Sequence, residues 1–234
     1  MKKFWCYISN DKYSVGCTGQ TVYVYDKDGN ELAKFKDIKY GYTAIFSPTD
    51  NIFVVKSTVG YLAVYSLSEL KLIKRIKFSK IDSSQDDGFC FSADGKYFYN
   101  IERHVASYNS ALATYDTVTF DRISLYLDDN DYVNPSFIEC DTDGQLYVFG
   151  FERTVEEHFS GGYVSKLVDG KISDAQHISV QEYDCYRTIL HLQICNFSER
   201  AIEFSLCLFY GIDVDNLDRT EHYISKLWKE KGSR

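Results

Sequence analysis

Carboxylates are the residues of this chain best placed by number and spacing to do chemistry. Asp86 and Asp87 stand together, Asp128, Asp129 and Asp131 follow, and Glu156, Glu157 and His158 form a third group. Several converging carboxylates hold a hard cation such as calcium. Spread over a surface they keep it solvated or dock a basic partner. A Glu-Arg pair also occurs twice, as Glu102-Arg103 and Glu152-Arg153, at a spacing of 50 residues. One reading makes the pair part of a charged binding rim. The other makes it a salt bridge copied along with a duplicated unit.

Other reactive types are less organised. Seven cysteines are present, none in a Cys-x-x-Cys, and most sit in apolar runs. That usage suits buried free thiols rather than disulfides or zinc ligands. Cys185, His191 and Cys195 would share one face if 185–195 were a strand, the arrangement a Cys–His nucleophile would need. Asp26-Lys27-Asp28-Gly29-Asn30-Glu31 resembles a calcium loop only superficially, since Glu31 stands where that loop needs Gly, and it reads as a hairpin turn. No Gly-x-Ser-x-Gly, phosphate-binding loop or dinucleotide fingerprint occurs. No catalytic residue, metal ligand or cofactor is assigned.

Positioning these groups requires strands. The chain has 20 Tyr and 16 Phe against two Pro, a bias toward pleated, half-buried surfaces. Phe91-Ser92-Ala93-Asp94-Gly95-Lys96-Tyr97 is an apolar run, an Asp-Gly turn and a second apolar run, a strong hairpin signal. Similar hairpins occur at 44–55 and 137–149, with weaker copies at 6–13 and 193–200. Third strands follow at Thr21–Asp26, Tyr61–Ser66 and Ala111–Asp116, then fourth strands at Glu31–Phe35, Lys71–Ile76 and Phe120–Leu125. The repeat units are about 1–38, 39–79, 86–127, 134–180 and 184–212, with a helix over 215–230 capped by Asp215. Four-stranded sheets that cannot bury both faces alone stack around an axis. The expected fold is therefore all-β: a single domain, residues 1–234, forming a small β-propeller of about five four-stranded blades with a C-terminal helix.

The run Phe91-Ser92, Asp94-Gly95-Lys96, with Tyr25-Asp26 and Tyr115-Asp116 ending third strands, resembles the WD-repeat-like β-propellers over residues 1–175. Gly-His before the first strands and Trp-Asp after the third do not occur. In propellers of this type the loops between the second and third strands and between blades meet on one face. There the resemblance places the acidic groups and the segments Ile101–Val105 and Phe151–Gly162.

The formal net charge of −8 argues against nucleic acid. No apolar run approaches a membrane span, and Met1–Ile8 is too short in apolar residues for an export signal, so a cytoplasmic location is expected. The candidate binding set is Asp86, Asp87, Glu102, Arg103, Asp128, Asp129, Asp131, Glu152, Arg153, Glu156, Glu157 and His158. The expected function is a non-enzymatic protein-interaction module whose acidic loop face takes a protein partner, a basic one being electrostatically favoured. The alternatives are a propeller-type hydrolase or lactonase acting at a central channel, and a small-ligand or carbohydrate binder using the aromatic surface.

Overall fold

Turn chemistry sets the strand boundaries. Asp26 ends a third strand and accepts the N–H groups of Asp28 (2.9 Å) and Asn30 (2.8 Å). Asp116 does the same for Val118 and Thr119, both at 2.9 Å. Ser66 occupies the matching place and accepts the Glu69 N–H at 3.0 Å. Short polar side chains that bond the backbone two to four residues on reverse the chain at each site. Between first and second strands, Gly95 (φ 70°) and Gly144 (φ 83°) adopt the left-handed conformation an Asp-Gly turn demands.

The result is a series of four-stranded antiparallel meanders. This computed structural model describes residues 2–49, 51–78, 88–103, 110–126, 133–153, 159–194, 209–211, 217–218 and 220–233. The first sheet holds β1 (Cys6–Ser9), β2 (Tyr13–Cys17), β3 (Val22–Asp26) and β4 (Glu31–Phe35). The second holds β5 (Gly41–Phe46), β6 (Ile52–Ser57), β7 (Tyr61–Ser66) and β8 (Lys71–Lys77). The third holds β9 (Phe89–Phe91), β10 (Tyr97–Arg103), β11 (Ser110–Asp116) and β12 (Arg122–Tyr126). The fourth holds β13 (Val133–Cys140), β14 (Leu146–Arg153), β15 (Phe159–Val168) and β16 (Lys171–Ile178). In each sheet, sequence order is spatial order. Repeated sheets of this kind fit a β-propeller-like architecture.

Two compact units emerge, Met1–Gln85 with Ile194–Ser198, and Asp86–Gln193 with Glu199–Arg234. In the first, β1 and β2 lie against β5, and Tyr65 stacks between Phe35 of the first sheet (4.6 Å) and Phe53 of its own (4.9 Å). Such offset ring contacts add to the burial of large apolar area that holds neighbouring sheets side by side. In the second, β9, β10 and β11 lie against β13. Cys90, Ile101, Leu112, Ile138, Val148 and Tyr163 form one core across those two sheets.

The tail departs from the sequence expectation. Instead of a fifth four-stranded unit opening at 184, residues Val180–Ile194 form a helix, α1. Its start is a complete capping box: Ser179 and Glu182 exchange side chain–backbone hydrogen bonds at 3.0 and 3.3 Å. Tyr183 stacks on Phe149 at 5.1 Å, and His191 meets the edge of Phe137, so the helix covers the fourth sheet. Cys185 and His191, six residues apart, lie about 240° around a helix rather than on one face, which removes a Cys185–His191 pairing; Cys195 lies outside the described residues. Burial also raises the Cys185, Cys17 and Cys90 thiols above their ordinary range.

The C-terminal helix, α2, runs Tyr223–Gly232, starting later than 215. Asp215 lies outside the described residues, and Asp218 instead closes a turn onto Thr220 at 2.8 Å. The first helical N–H groups are satisfied by a distant strand residue: Glu139 of β13 accepts from Ile224 (3.2 Å) and Ser225 (3.1 Å). Lys229 bridges to Asp141 at 2.7 Å and Lys231 to Glu182 at 2.5 Å. No helix among the described residues is long and apolar enough to cross a membrane.

Candidate functional site

The first unit carries a groove of ≈ 820 Å³ at the loop end of its two sheets. It is built by the 36–40 segment linking β4 to β5, the Thr58–Tyr61 turn linking β6 to β7, and Arg75 and Lys77 at the end of β8, with Trp5. These are the two kinds of loop expected to meet on one face.

Each wall has a local cause. Ile38 is 2% exposed and anchors the linking segment, leaving Lys36, Asp37, Lys39 and Tyr40 outward. Tyr40 takes a positive φ of 56° and is half exposed. Gly60 closes the opposite turn at φ 77°, a conformation open to a residue without Cβ. Buried Ser57 ties the walls together: its hydroxyl donates to the Lys39 carbonyl at 2.6 Å and accepts the Val59 N–H at 3.1 Å. The Thr58 N–H donates to the Tyr40 carbonyl at 3.0 Å. Arg75 donates to the Asp37 carbonyl at 3.1 Å and Lys77 to the Val59 carbonyl at 2.8 Å. Both cations lie over the Tyr61 ring, at 5.4 and 4.3 Å from its centroid, a contact that orders them without neutralising them.

Charge distinguishes the groove. Four cations, Lys36, Lys39, Arg75 and Lys77, meet one acid, Asp37, in a chain whose net charge is −8. Elsewhere lysines are commonly spent on carboxylates, as in Lys2–Glu31, Lys96–Asp94 and Lys226–Glu221. Among the described residues, none of the four groove cations is within ion-pair distance of a carboxylate. A concave wall in which one sign predominates focuses the field into the cleft, and this cleft attracts anions.

The sequence-derived binding set falls differently. Asp86, Asp87, Asp128, Asp129, Asp131, Glu156, Glu157 and His158 lie outside the described residues. Glu102 does not sit on a rim: β10 continues through it, and it is fully buried. Tyr115 donates to it at 2.5 Å, and Arg122 reaches it at 3.2 Å. Glu152 likewise lies in β14, hydrogen-bonded to His177 of β16 at 2.9 Å. In both sheets the second-strand Glu faces a small third-strand residue, Ala111 or Gly161, and meets a basic group on the fourth strand. The recurring Glu is thus a tie across one sheet. Arg103 and Arg153 end the same strands.

Sequence reasoning missed the groove. Its signals were Lys36-Asp37-Ile38-Lys39 and Lys74-Arg75-Ile76-Lys77, each of which alone reads as a solvated face.

No family model and no curated protein matches the chain. Among solved structures it is similar to hydrazine synthase of Kuenenia stuttgartiensis, with a TM-score of 0.57 and 17% identity, over 72% of this chain and 46% of that one. The chain thus spans about half the length of that structure. At this identity the likeness concerns the fold alone, and with 1092 solved chains matching, the architecture is too widespread to carry an activity.

Proposed function

We propose that the chain is an interaction module, a rigid repeat scaffold that engages a protein partner through the loop end of its sheets. The observation that carries this reading is the groove formed by the 36–40 segment and the Thr58–Tyr61 turn, with its four cations not ion-paired among the described residues. Loops held on a rigid sheet scaffold are where binding concentrates, and the two loops here are cross-tied before any partner arrives. The WD-repeat-like assignment, and closure of the sheets into a ring of blades, belong to the same proposal. Four meanders in series and the Asp26, Ser66 and Asp116 turn closures support it. The binding face is the cationic groove rather than the acidic loops.

Chemical cross-linking and capture with the full chain tests the reading, comparing wild type with Arg75→Glu/Lys77→Glu. The expected result is a stoichiometric partner recovered by wild type and lost by the charge-reversed variant at unchanged circular dichroism. A partner held equally by both proteins would sink it.

A further inference from the structure

The chemistry of the groove narrows its occupant. Compact phosphate sites present converging backbone N–H groups, at a helix N-terminus or in a glycine-rich nest. The Thr58–Gly60 wall of this groove does not. The Thr58, Val59 and Gly60 N–H groups are spent on Tyr40 O, Ser57 Oγ and Ser57 O. The backbone groups of its walls that take part in bonding include four carbonyls, of Asp37, Lys39, Tyr40 and Val59, each already accepting a hydrogen bond. At this wall anion binding therefore falls to the side-chain cations Arg75 and Lys77, and their spacing is set by a strand.

β8 is the outermost strand of its sheet, and its exposure alternates strictly, with Lys71, Ile73, Arg75 and Lys77 outward. Arg75 and Lys77 sit two residues apart on one face, so their Cα atoms are about 6.6–6.8 Å apart. An extended polypeptide repeats its same-side residues at that same interval. The guanidinium of Arg75 suits a carboxylate bidentately, and the Lys77 ammonium acts as a point charge. Lys36 and Lys39 face the cleft from the other wall. Tyr61 beneath the pair offers an apolar floor.

We infer that the groove takes an extended acidic peptide segment whose carboxylates recur at alternate residues, an inference that rests on the interaction-module reading. Arg75 and Lys77 read two successive same-side carboxylates, and Lys36 and Lys39 neutralise the opposite edge. Preference over compact polyphosphates is expected, because the Thr58–Gly60 turn has already spent its N–H groups and offers them no backbone cradle.

The test is fluorescence anisotropy on the full chain with a labelled peptide of alternating glutamate and serine. A peptide of the same composition with contiguous glutamates, and inorganic tripolyphosphate as competitor, complete the set. The alternating peptide is expected to bind more tightly than the contiguous one, and more weakly as ionic strength rises. Arg75→Gln/Lys77→Gln and Lys36→Gln/Lys39→Gln are each expected to weaken it about tenfold or more. Lys27→Gln, on the exposed turn between β3 and β4 and outside the groove lining, is expected to leave it unchanged. Equal binding by the Arg75/Lys77 variant, equal binding of the two peptides, or displacement by tripolyphosphate at lower concentration than peptide would overturn the inference. If no peptide binds while partner capture is still lost on charge reversal, the acidic-segment inference fails and the interaction module stands. If capture ignores charge reversal, the module itself fails.

Discussion

Glu102 shows what a single residue means once its strand is known. In sequence it belongs to a charged Glu-Arg pair. In the fold it is a fully buried carboxylate that accepts from Tyr115, with Arg122 at 3.2 Å. Burying a charge is costly unless donors surround it. The same burial, with Glu102 adjacent, drives the Tyr115 hydroxyl far above its ordinary range, so it stays a donor. Tyr115→Phe removes that donor and leaves the carboxylate in place. The expected cost is about 1–3 kcal/mol, read as a lower urea midpoint with no change of secondary structure. A variant as stable as wild type would show that the remaining partners suffice.

At the scale of elements, α2 is held by charge as well as by its buried Ile224 and Leu227. Lys229 holds the Asp141 carboxyl down to about 2, and Lys231 holds Glu182 down to about 2. Both groups bind protons more weakly folded than unfolded, so each contributes stability above the ordinary carboxylate range. That contribution is lost as pH falls from about 4 to about 2. Solvent at both pairs reduces each to about 1 kcal/mol. Burial pushes Glu139 the other way, so its titration offsets part of the loss. Urea midpoints measured from neutral pH downward should therefore fall more steeply in wild type than in Lys229→Gln/Lys231→Gln. Parallel curves would assign the docking of α2 to its apolar face alone.

At the scale of the molecule, an acidic chain keeps a local reserve of positive charge. Net charge of −8 opposes anionic ligands at long range, but screening confines that repulsion to about 8–10 Å at physiological ionic strength. Inside the groove the four cations decide. An alternating glutamate–serine peptide at about a hundred times its dissociation constant should stabilise the native state by about 2.7 kcal/mol. A thermal scan would register this as a rise in melting temperature that high salt abolishes. No rise at saturating peptide, or a rise indifferent to salt, would contradict an electrostatic site.

Local chemistry in the sequence determined the sheets. Asp94-Gly95, Asp143-Gly144 and the Asp or Ser closing three of the four third strands act within a few residues, so the strands of 6–178 were legible almost element by element. The same kind of signal was available for α1 in Ser179-Val180-Gln181-Glu182, but the alternating polar and apolar residues after it read equally as a strand. Only Tyr183 meeting Phe149, and the helix lying over the fourth sheet, settled that choice. The groove was decided by tertiary structure alone. Lys36 and Lys39 stand far along the chain from Arg75 and Lys77, and nothing in either run announces the other. Their meeting depends on Ser57 pinning the linking segment and on the Tyr61 ring holding the β8 cations beside it, contacts made across sequence distance and fixed only when the sheets pack.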